Sequence, residues 1–263
     1  MILDDLFNST KKRVEESKKR VSERELEEKL KNLQKRPRFI FEQALKKKGM
    51  SYICEIKKAS PSKGVISEDF PYNKIASEYA QAGADCISVL TEPEYFKGDI
   101  RYLEEIRKTV DTPILRKDFT CDPYMITEAA AAGADAVLLI AAILTDRELV
   151  DLFQKADDLG LSAIFEAHDE EEIKRCLAAG ARIVGVNNRN LKDFVVDINN
   201  SKQLRKLVPN EIIFVAESGI KTNDDIRELV GFGVDAVLIG ETLMRSPDRK
   251  KELESLNGGP LRG

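Results

Sequence analysis

Ala132-Gly133-Ala134-Asp135-Ala136-Val137-Leu138-Leu139-Ile140-Ala141 reads as a junction, in which small residues and a glycine close a helix and a short unbroken apolar run follows. An apolar run without polar alternation is the signature of a strand buried on both faces, as in a parallel sheet covered by helices. The glycine suits a helix C-terminus, where the chain turns through the left-handed conformation. The junction recurs. Ala82-Gly83-Ala84-Asp85, Ala179-Gly180-Ala181-Arg182 and Gly231-Phe232-Gly233-Val234-Asp235 each stand directly before another such run.

Working outward from this repeat, strands are expected over residues 52–57, 86–91, 113–117, 136–141, 162–167, 183–188, 211–217 and 236–241, with charged segments of helical period between them. Eight strands, each followed by a helix, in roughly 210 residues give a (β/α)8 TIM barrel near the lower end of its usual size. The glycine junctions precede strands 2, 4, 6 and 8, a fourfold modulation of the ring. A doubly wound open sheet is the competing architecture, but the Gly-x-Gly-x-x-Gly turn it would carry after strand 1 is absent.

The barrel is expected over residues 49–257. Residues 1–48 form an N-terminal helical extension, rich in Lys, Arg and Glu over 9–48, with Val14, Val21, Leu26, Leu30 and Leu33 at helical spacing and a break at Pro37. Two readings stay open for it, an amphipathic helix packed on the main domain or a cover over a ligand mouth. Residues 258–263 carry no packing pattern and read as a disordered tail.

Composition narrows the function classes. Lys and Arg number 42 against 46 Asp and Glu, a net charge of -4 that gives no reason to expect a nucleic-acid or anionic-membrane partner. The longest apolar run, 136–144, is far short of the roughly 20 residues a membrane helix needs, and Asp4 and Asp5 stand where a signal peptide would be basic and then apolar. A cytoplasmic location is expected. Cys54, Cys86, Cys121 and Cys176 form no Cys-x-x-Cys pair and read as reduced, with Cys54 and Cys86 acting as small hydrophobes inside strands. The single histidine, His168, has no companion ligand and suits a structural or rim role, so no metal and no cofactor are expected. A monomer is compatible with the sequence, which does not fix the oligomeric state.

Barrel enzymes carry their reactive groups where strands run into the following loops. Here strand 1 offers Glu55 and Lys57, strand 3 Lys117 and Asp118, strand 5 Glu166 and His168, strand 6 Asn187, Asn188 and Arg189, strand 7 Glu217 and Ser218, and strand 8 Gly240 and Glu241. Glu55 and Lys57, at i and i+2, share one face. A closed ring would gather two lysines and two or three carboxylates in a small, partly dry space, where mutual charge and burial push pKa values apart as acid–base chemistry requires. For any one of them, a salt bridge closing the rim is an equal reading. Glu217-Ser218-Gly219-Ile220 and Ile239-Gly240-Glu241-Thr242 bring glycine amides to helix N-termini at the usual barrel location for phosphate.

The motifs Glu55-Ile-Lys-Lys-Ala-Ser-Pro-Ser-Lys-Gly64, Leu115-Arg-Lys-Asp-Phe119, Phe165-Glu-Ala-His168, Gly185-Val-Asn-Asn-Arg189 and Ala216-Glu-Ser-Gly-Ile220 resemble, in order and spacing, the indole-3-glycerol-phosphate synthase family. The resemblance runs from the N-terminal helices to about residue 256. It implies conversion of the phosphorylated small molecule 1-(2-carboxyphenylamino)-1-deoxyribulose 5-phosphate to indole-3-glycerol phosphate, with loss of carbon dioxide and water, in tryptophan biosynthesis. It further implies Lys117 as the general acid, Glu166 handling the anilino proton, and Lys57, oriented by Glu55, pairing with the substrate carboxylate. Asn187 and Glu217 would meet substrate hydroxyls, Phe119 and Arg189 would belong to the substrate site, and Ser60, Ser218, Gly219, Gly240 and the backbone of Glu241 would bind phosphate. Asn190, Met125 and Ala167 depart from the usual Asp, Gln and Val of the family; they bear on loop anchoring and helix packing, not on a proton donor. Two rivals remain at this stage, a Schiff-base aldolase using one of the lysines and a non-catalytic phosphate-binding barrel.

Overall fold

The computed structural model describes residues 2–190 and 195–259. The chain opens with three helices, α1 (Ile2–Arg20), α2 (Glu23–Asn32) and α3 (Ile40–Leu45). Helix α1 begins earlier than the charge pattern over 9–48 indicates. It stops at Arg20 because Ser22 starts a new helix: the Glu25 backbone N–H donates to Ser22 Oγ at 3.3 Å, and the Ser22 N–H donates to Glu25 Oε2 at 2.7 Å. This reciprocal cap stabilises α2 by about 1 kcal/mol. The break also divides the apolar stripe, so Val14 and Leu26 are buried while Val21 and Leu33, near helix ends, are exposed.

Eight parallel strands follow: β1 (Ser51–Ile56), β2 (Cys86–Leu90), β3 (Ile114–Lys117), β4 (Ala136–Ile140), β5 (Ser162–Ala167), β6 (Ile183–Asn187), β7 (Ile213–Glu217) and β8 (Ala236–Ile239). They close in the order β1-β8-β7-β6-β5-β4-β3-β2, with β1 completing the ring against β2. The TIM barrel is therefore present and the open sheet is not. Helices α4 (Tyr72–Gln81), α5 (Ile100–Arg107), α6 (Pro123–Ala132), α7 (Asp146–Asp158), α8 (Glu170–Ala178), α9 (Asn199–Leu204) and α10 (Asn223–Gly231) lie in the successive connections. Helices α11 (Glu241–Arg245) and α12 (Arg249–Asn257) follow β8. The repeat glycines 83, 133, 180 and 233 all have φ between 79° and 91°, which fits their place at helix ends.

Strand alternation sorts the side chains into two layers. Tyr52, Cys54, Ile56, Ile87, Val89, Val137, Leu139, Phe165, Val184 and Phe214 face outward into the helix layer. Ile53, Cys86, Leu115, Ala136, Leu138, Ile164, Ile183, Ile213, Val215 and Leu238 face the barrel interior. The two cysteines are fully buried and unpaired, one in each layer. Helix α3 packs Phe41 and Leu45 into the interior cluster. It is pinned where β1 and β5 begin: Ser51 Oγ donates to the Leu45 carbonyl at 3.3 Å, and the Glu42 N–H donates to Ser162 Oγ at 3.2 Å. The interior thus has an apolar floor, and the inward positions nearer the strand C-termini are free for polar side chains.

Several strand ends differ from expectation by one or two residues, and the loop after β1 carries an unexpected element. The strand expected over 236–241 ends at Ile239, because Gly240 N-caps α11. A short antiparallel hairpin, Ala59–Ser60 with Gly64–Val65, occupies the loop after β1. Of the 258–263 tail, Gly258 closes α12 with a φ of 72°, and residues 260–263 lie outside the described residues. No helix among the described residues is long and apolar enough to cross a membrane.

Candidate active site

On five strands the inward row continues upward from the apolar floor and then turns polar. On β1 the row runs Ile53, Glu55, Lys57; on β3 Leu115, Lys117; on β5 Ile164, Glu166; on β6 Ile183, Gly185, Asn187; on β7 Val215, Glu217. Ring closure turns these rows into one polar tier lining a cavity of about 850 Å³. Glu55, Lys57, Ser60, Lys117, Phe119, Glu166, Asn187, Arg189, Glu217, Ser218, Gly219, Gly240 and Glu241 all line it. The structure therefore brings together the residues that the family resemblance implicates, while His168 and Asn188, also offered by the strand ends, are not among the lining residues.

Lys117 stands at the centre of the tier. Its ammonium lies 3.3 Å from Glu166 Oε2 and makes a shorter hydrogen bond to Glu217 Oε2. Burial opposes its charge, but Glu217, Glu166 and Glu55 outweigh burial and raise its pKa. Glu217 responds in the opposite sense to Glu166. Burial, helped by the charges of Glu166 and Glu55 and opposed by Lys117, pushes Glu217 up to about 7. Glu166 is also penalised by burial, yet Lys117, His168 and a 3.4 Å hydrogen bond from Asn187 Nδ2 bring its pKa below the ordinary carboxylate value. Two carboxylates on one lysine thus have pKa values driven apart, the condition for distinct acid and base roles. On the opposite wall Lys57 Nζ donates to Glu55 Oε1 at 2.6 Å.

Glycines clear the space for these carboxylates. A Cβ on Gly185 would lie 2.5 Å from Glu217 Oε1 and 2.9 Å from Ile164 Cγ2, and one on Gly240 would collide with Glu55 Oε1. Close approach of a neighbouring side chain is a reason for glycine inside or just beyond a strand.

The turn after β7 differs from its expected form. Ser218 and Gly219 take successive φ values of 67° and 86°, and α10 begins only at Asn223. The Gly219 amide therefore belongs to a left-handed turn, not to a helix N-terminus. Asn188 Nδ2 donates to the Ser218 carbonyl at 3.1 Å and holds that turn, which suits a concave array of backbone N–H groups. Gly240 does sit at a helix start. The Glu241 side chain turns to Arg245, with Arg245 Nε donating to Oε1 at 3.1 Å. His168 lies outside the cavity lining, whereas Asp118 borders the cavity. Asp118 is fully buried, and Arg13, Thr91, Arg116 and the Phe119 N–H all donate to it.

Several lining groups escape sequence reasoning. Leu6 enters from α1 and joins the interior cluster, so the extension both packs on the barrel and contributes to the cavity. Phe96, from the loop after β2, stacks near Phe119 at a centroid distance of 6.2 Å. Lys63 comes from the hairpin and lies 3.9 Å from Glu241. Of these, Lys63 alone had a signal, its place in the motif that runs from Glu55 to Gly64. No three His, Cys, Asp or Glu side chains among the described residues are grouped to hold a metal ion.

The sequence profile of the indole-3-glycerol phosphate synthase family matches residues 3–256. The chain belongs to this family. Among its relatives, the indole-3-glycerol phosphate synthase of Ruminiclostridium cellulolyticum is 57% identical over 258 residues, covering 98% of this chain and 99% of the relative. That of Lacticaseibacillus paracasei is 53% identical over 251 residues, covering 95% and 96%. Similar solved structures extend to distant barrels. One is 3-hexulose-6-phosphate synthase from Salmonella typhimurium, with a TM-score of 0.65 at 14% identity over 80% of this chain and 97% of that one. Another is a Pyrococcus furiosus tryptophan synthase structure, with a TM-score of 0.59 at 14% identity over 79% and 97%. At that identity the likeness concerns the fold alone.

Proposed function

We propose a division of labour among the cavity residues for the family's reaction, the ring closure, decarboxylation and dehydration of 1-(2-carboxyphenylamino)-1-deoxyribulose 5-phosphate to indole-3-glycerol phosphate. Family membership makes this chain a carboxy-lyase of tryptophan biosynthesis that takes a phosphorylated small molecule. The observation carrying the assignment of roles is the Lys117 ammonium shared between Glu166 and Glu217 inside the cavity that also holds Lys57 and Glu55.

In the first step the aromatic carbon bearing the carboxylate attacks the ribulose carbonyl carbon. The carbonyl oxygen gains electron density and takes a proton from Lys117. An ammonium already present at that oxygen stabilises the transition state more than the ground state. The bond to the carboxylate then breaks, carbon dioxide leaves, and its electron pair restores the aromatic ring. In the last step the new hydroxyl departs as water, protonated by Lys57 or Lys117 and expelled by the electron pair of the nitrogen, whose anilino proton Glu166 accepts. A proton then passes from the adjoining ring CH2 to the neutral lysine, the carbon–carbon double bond forms, and Glu166 returns the proton to the nitrogen. Before decarboxylation, Lys57 pairs with the substrate carboxylate, and Glu55 fixes its direction. Asn187 and Glu217 meet the sugar hydroxyls, and Phe119 and Arg189 complete the wall. The phosphate lies against Ser60, Ser218, Gly219, Gly240 and the Glu241 amide, where the left-handed turn and the start of α11 converge. The enzyme works in the cytoplasm.

A Schiff-base route needs a lysine that is neutral near pH 7. Lys117 has the opposite character, since its carboxylate neighbours raise its pKa. Borohydride added during turnover should leave Lys117 and Lys57 without added mass. Fluorescence detection of the indole product, against the low background of a chain with no tryptophan, is the direct test of the function. Failure to form product from the carboxyphenylamino sugar phosphate would overturn it.

A further inference from the structure

Behind the reacting tier sits a half-buried titratable group that the mechanism does not use. His168, the single histidine of the chain, lies just past β5. The ring is clamped from α8: Nδ1 is 3.3 Å from Glu172 Oε2, the same oxygen that accepts the His168 backbone N–H at 2.8 Å. From α9, Asn200 Nδ2 donates to the His168 carbonyl at 3.1 Å. So held, the ring puts Nε2, which is buried and has no hydrogen-bond partner among the described residues, 3.6 Å from Glu166 Oε1. Glu166 is correspondingly loosely held. Lys117 contacts Oε2 at 3.3 Å, while Asn187 at 3.4 Å and His168 at 3.6 Å attend Oε1.

We propose that His168 is a positioning residue for Glu166. Clamped by Glu172, its imidazolium presents Nε2–H to the Glu166 oxygen that Lys117 does not contact, keeping that carboxylate ionised and aimed into the cavity. This rests on the reading of Glu166 as the acceptor of the anilino proton.

The tautomer gives the contact its pH sense. Glu172 accepts from Nδ1, so the last proton to remain on the ring stays on Nδ1. Loss of the other proton would turn Nε2 from a donor into a lone pair facing a carboxylate. The charged groups facing the ring are Glu166 from β5, Glu172 from α8 and Glu217 from β7, with Lys117 of β3 beyond Glu166. Burial disfavours the imidazolium, but the Glu172 hydrogen bond and these three carboxylates outweigh it and raise its pKa above the ordinary value. The ring therefore keeps its charge to higher pH than a free imidazole, and the contact reverses as pH rises through that raised value.

Because the chain has one histidine, imidazole NMR of the whole protein reads its titration without ambiguity. The midpoint is expected above the ordinary value of about 6.5 and should fall by at least about half a unit in Glu166→Gln. A midpoint at the ordinary value, unmoved by Glu166→Gln, overturns the proposal even if a His168 variant does not fold. In steady-state assays His168→Gln should lower kcat about tenfold, the scale of one lost charge-assisted hydrogen bond. KM should stay within about twofold, and the alkaline limb of the pH profile should change. Unchanged kcat and an unchanged profile would also overturn it. The titration needs no turnover, so its outcome is separate from that of the product assay on the native enzyme.

Discussion

Replacing Arg13 by Met should loosen the extension from the barrel in a way that depends on pH. Arg13, on α1, donates to both oxygens of Asp118, 105 residues away, at 3.0 Å and 2.6 Å. Asp118 adjoins Lys117, so this bridge ties the helix carrying Leu6 to the strand carrying the central lysine. Two charge-assisted bonds on a buried carboxylate are worth about 1.5–3 kcal/mol each, and breaking a buried pair costs up to about 3–5 kcal/mol. Asp118 would retain Thr91 Oγ1 at 2.6 Å, the Phe119 N–H at 2.9 Å and Arg116 at 3.4 Å. We therefore expect a loss of about 2–3 kcal/mol at pH 7. Burial opposes ionisation of Asp118, but Arg13 and Arg116 bring its pKa down to about 2. A lowered carboxylate pKa contributes stability that is present above the unfolded value of about 3.9 and is lost as pH falls toward the folded value. The gap between native and Arg13→Met protein in urea unfolding should therefore be widest above pH 5 and narrow between about pH 4 and 2. A difference below about 0.5 kcal/mol at pH 7, or one independent of pH, would refute the reasoning.

Lys117→Met should abolish detectable turnover, with general acid catalysis alone accounting for about 10²–10⁴-fold, while binding of a phosphorylated product analogue measured by calorimetry stays within about tenfold. Gly185→Ala places a methyl 2.5 Å from Glu217 Oε1 and 2.9 Å from Ile164 Cγ2, so thermal unfolding should report an overpacking cost of about 1–3 kcal/mol together with a drop in kcat. Gly240→Ala drives a methyl into the Glu55 carboxylate and to 3.1 Å from Lys57 Nζ; kcat/KM should fall at least about tenfold, and wild-type kinetics would show that the Glu55–Lys57 pair needs no fixed direction.

The barrel was legible because its strands are unbroken apolar runs, and period-two alternation then carries Ile53 to Glu55 and Lys57 on one face. The same alternation places Lys117 above Leu115 and Glu166 above Ile164, so the tier is read from each strand separately. What was not legible depends on contacts between distant segments. Nothing local marks Arg13 as the partner of Asp118, or Leu6 as a wall of the cavity. The clearance at Gly185 is a demand from β7, not from β6. Strand ends moved by one or two residues where a cap took over the chain, as at Gly240. The turn at Ser218 was misplaced onto a helix because a positive φ on a serine has no signature in composition.

Helix α3 gives the molecule a consequence for its own variation. By stoppering the narrow end with Phe41 and Leu45, it lets cohesion reside at one pole and reactivity at the other. Sequence drift beneath Ile53 and Ile183 can be absorbed by repacking against that stopper, whereas the upper tier, crowded enough to exclude a single methyl, can be retuned only through the loops that overhang it.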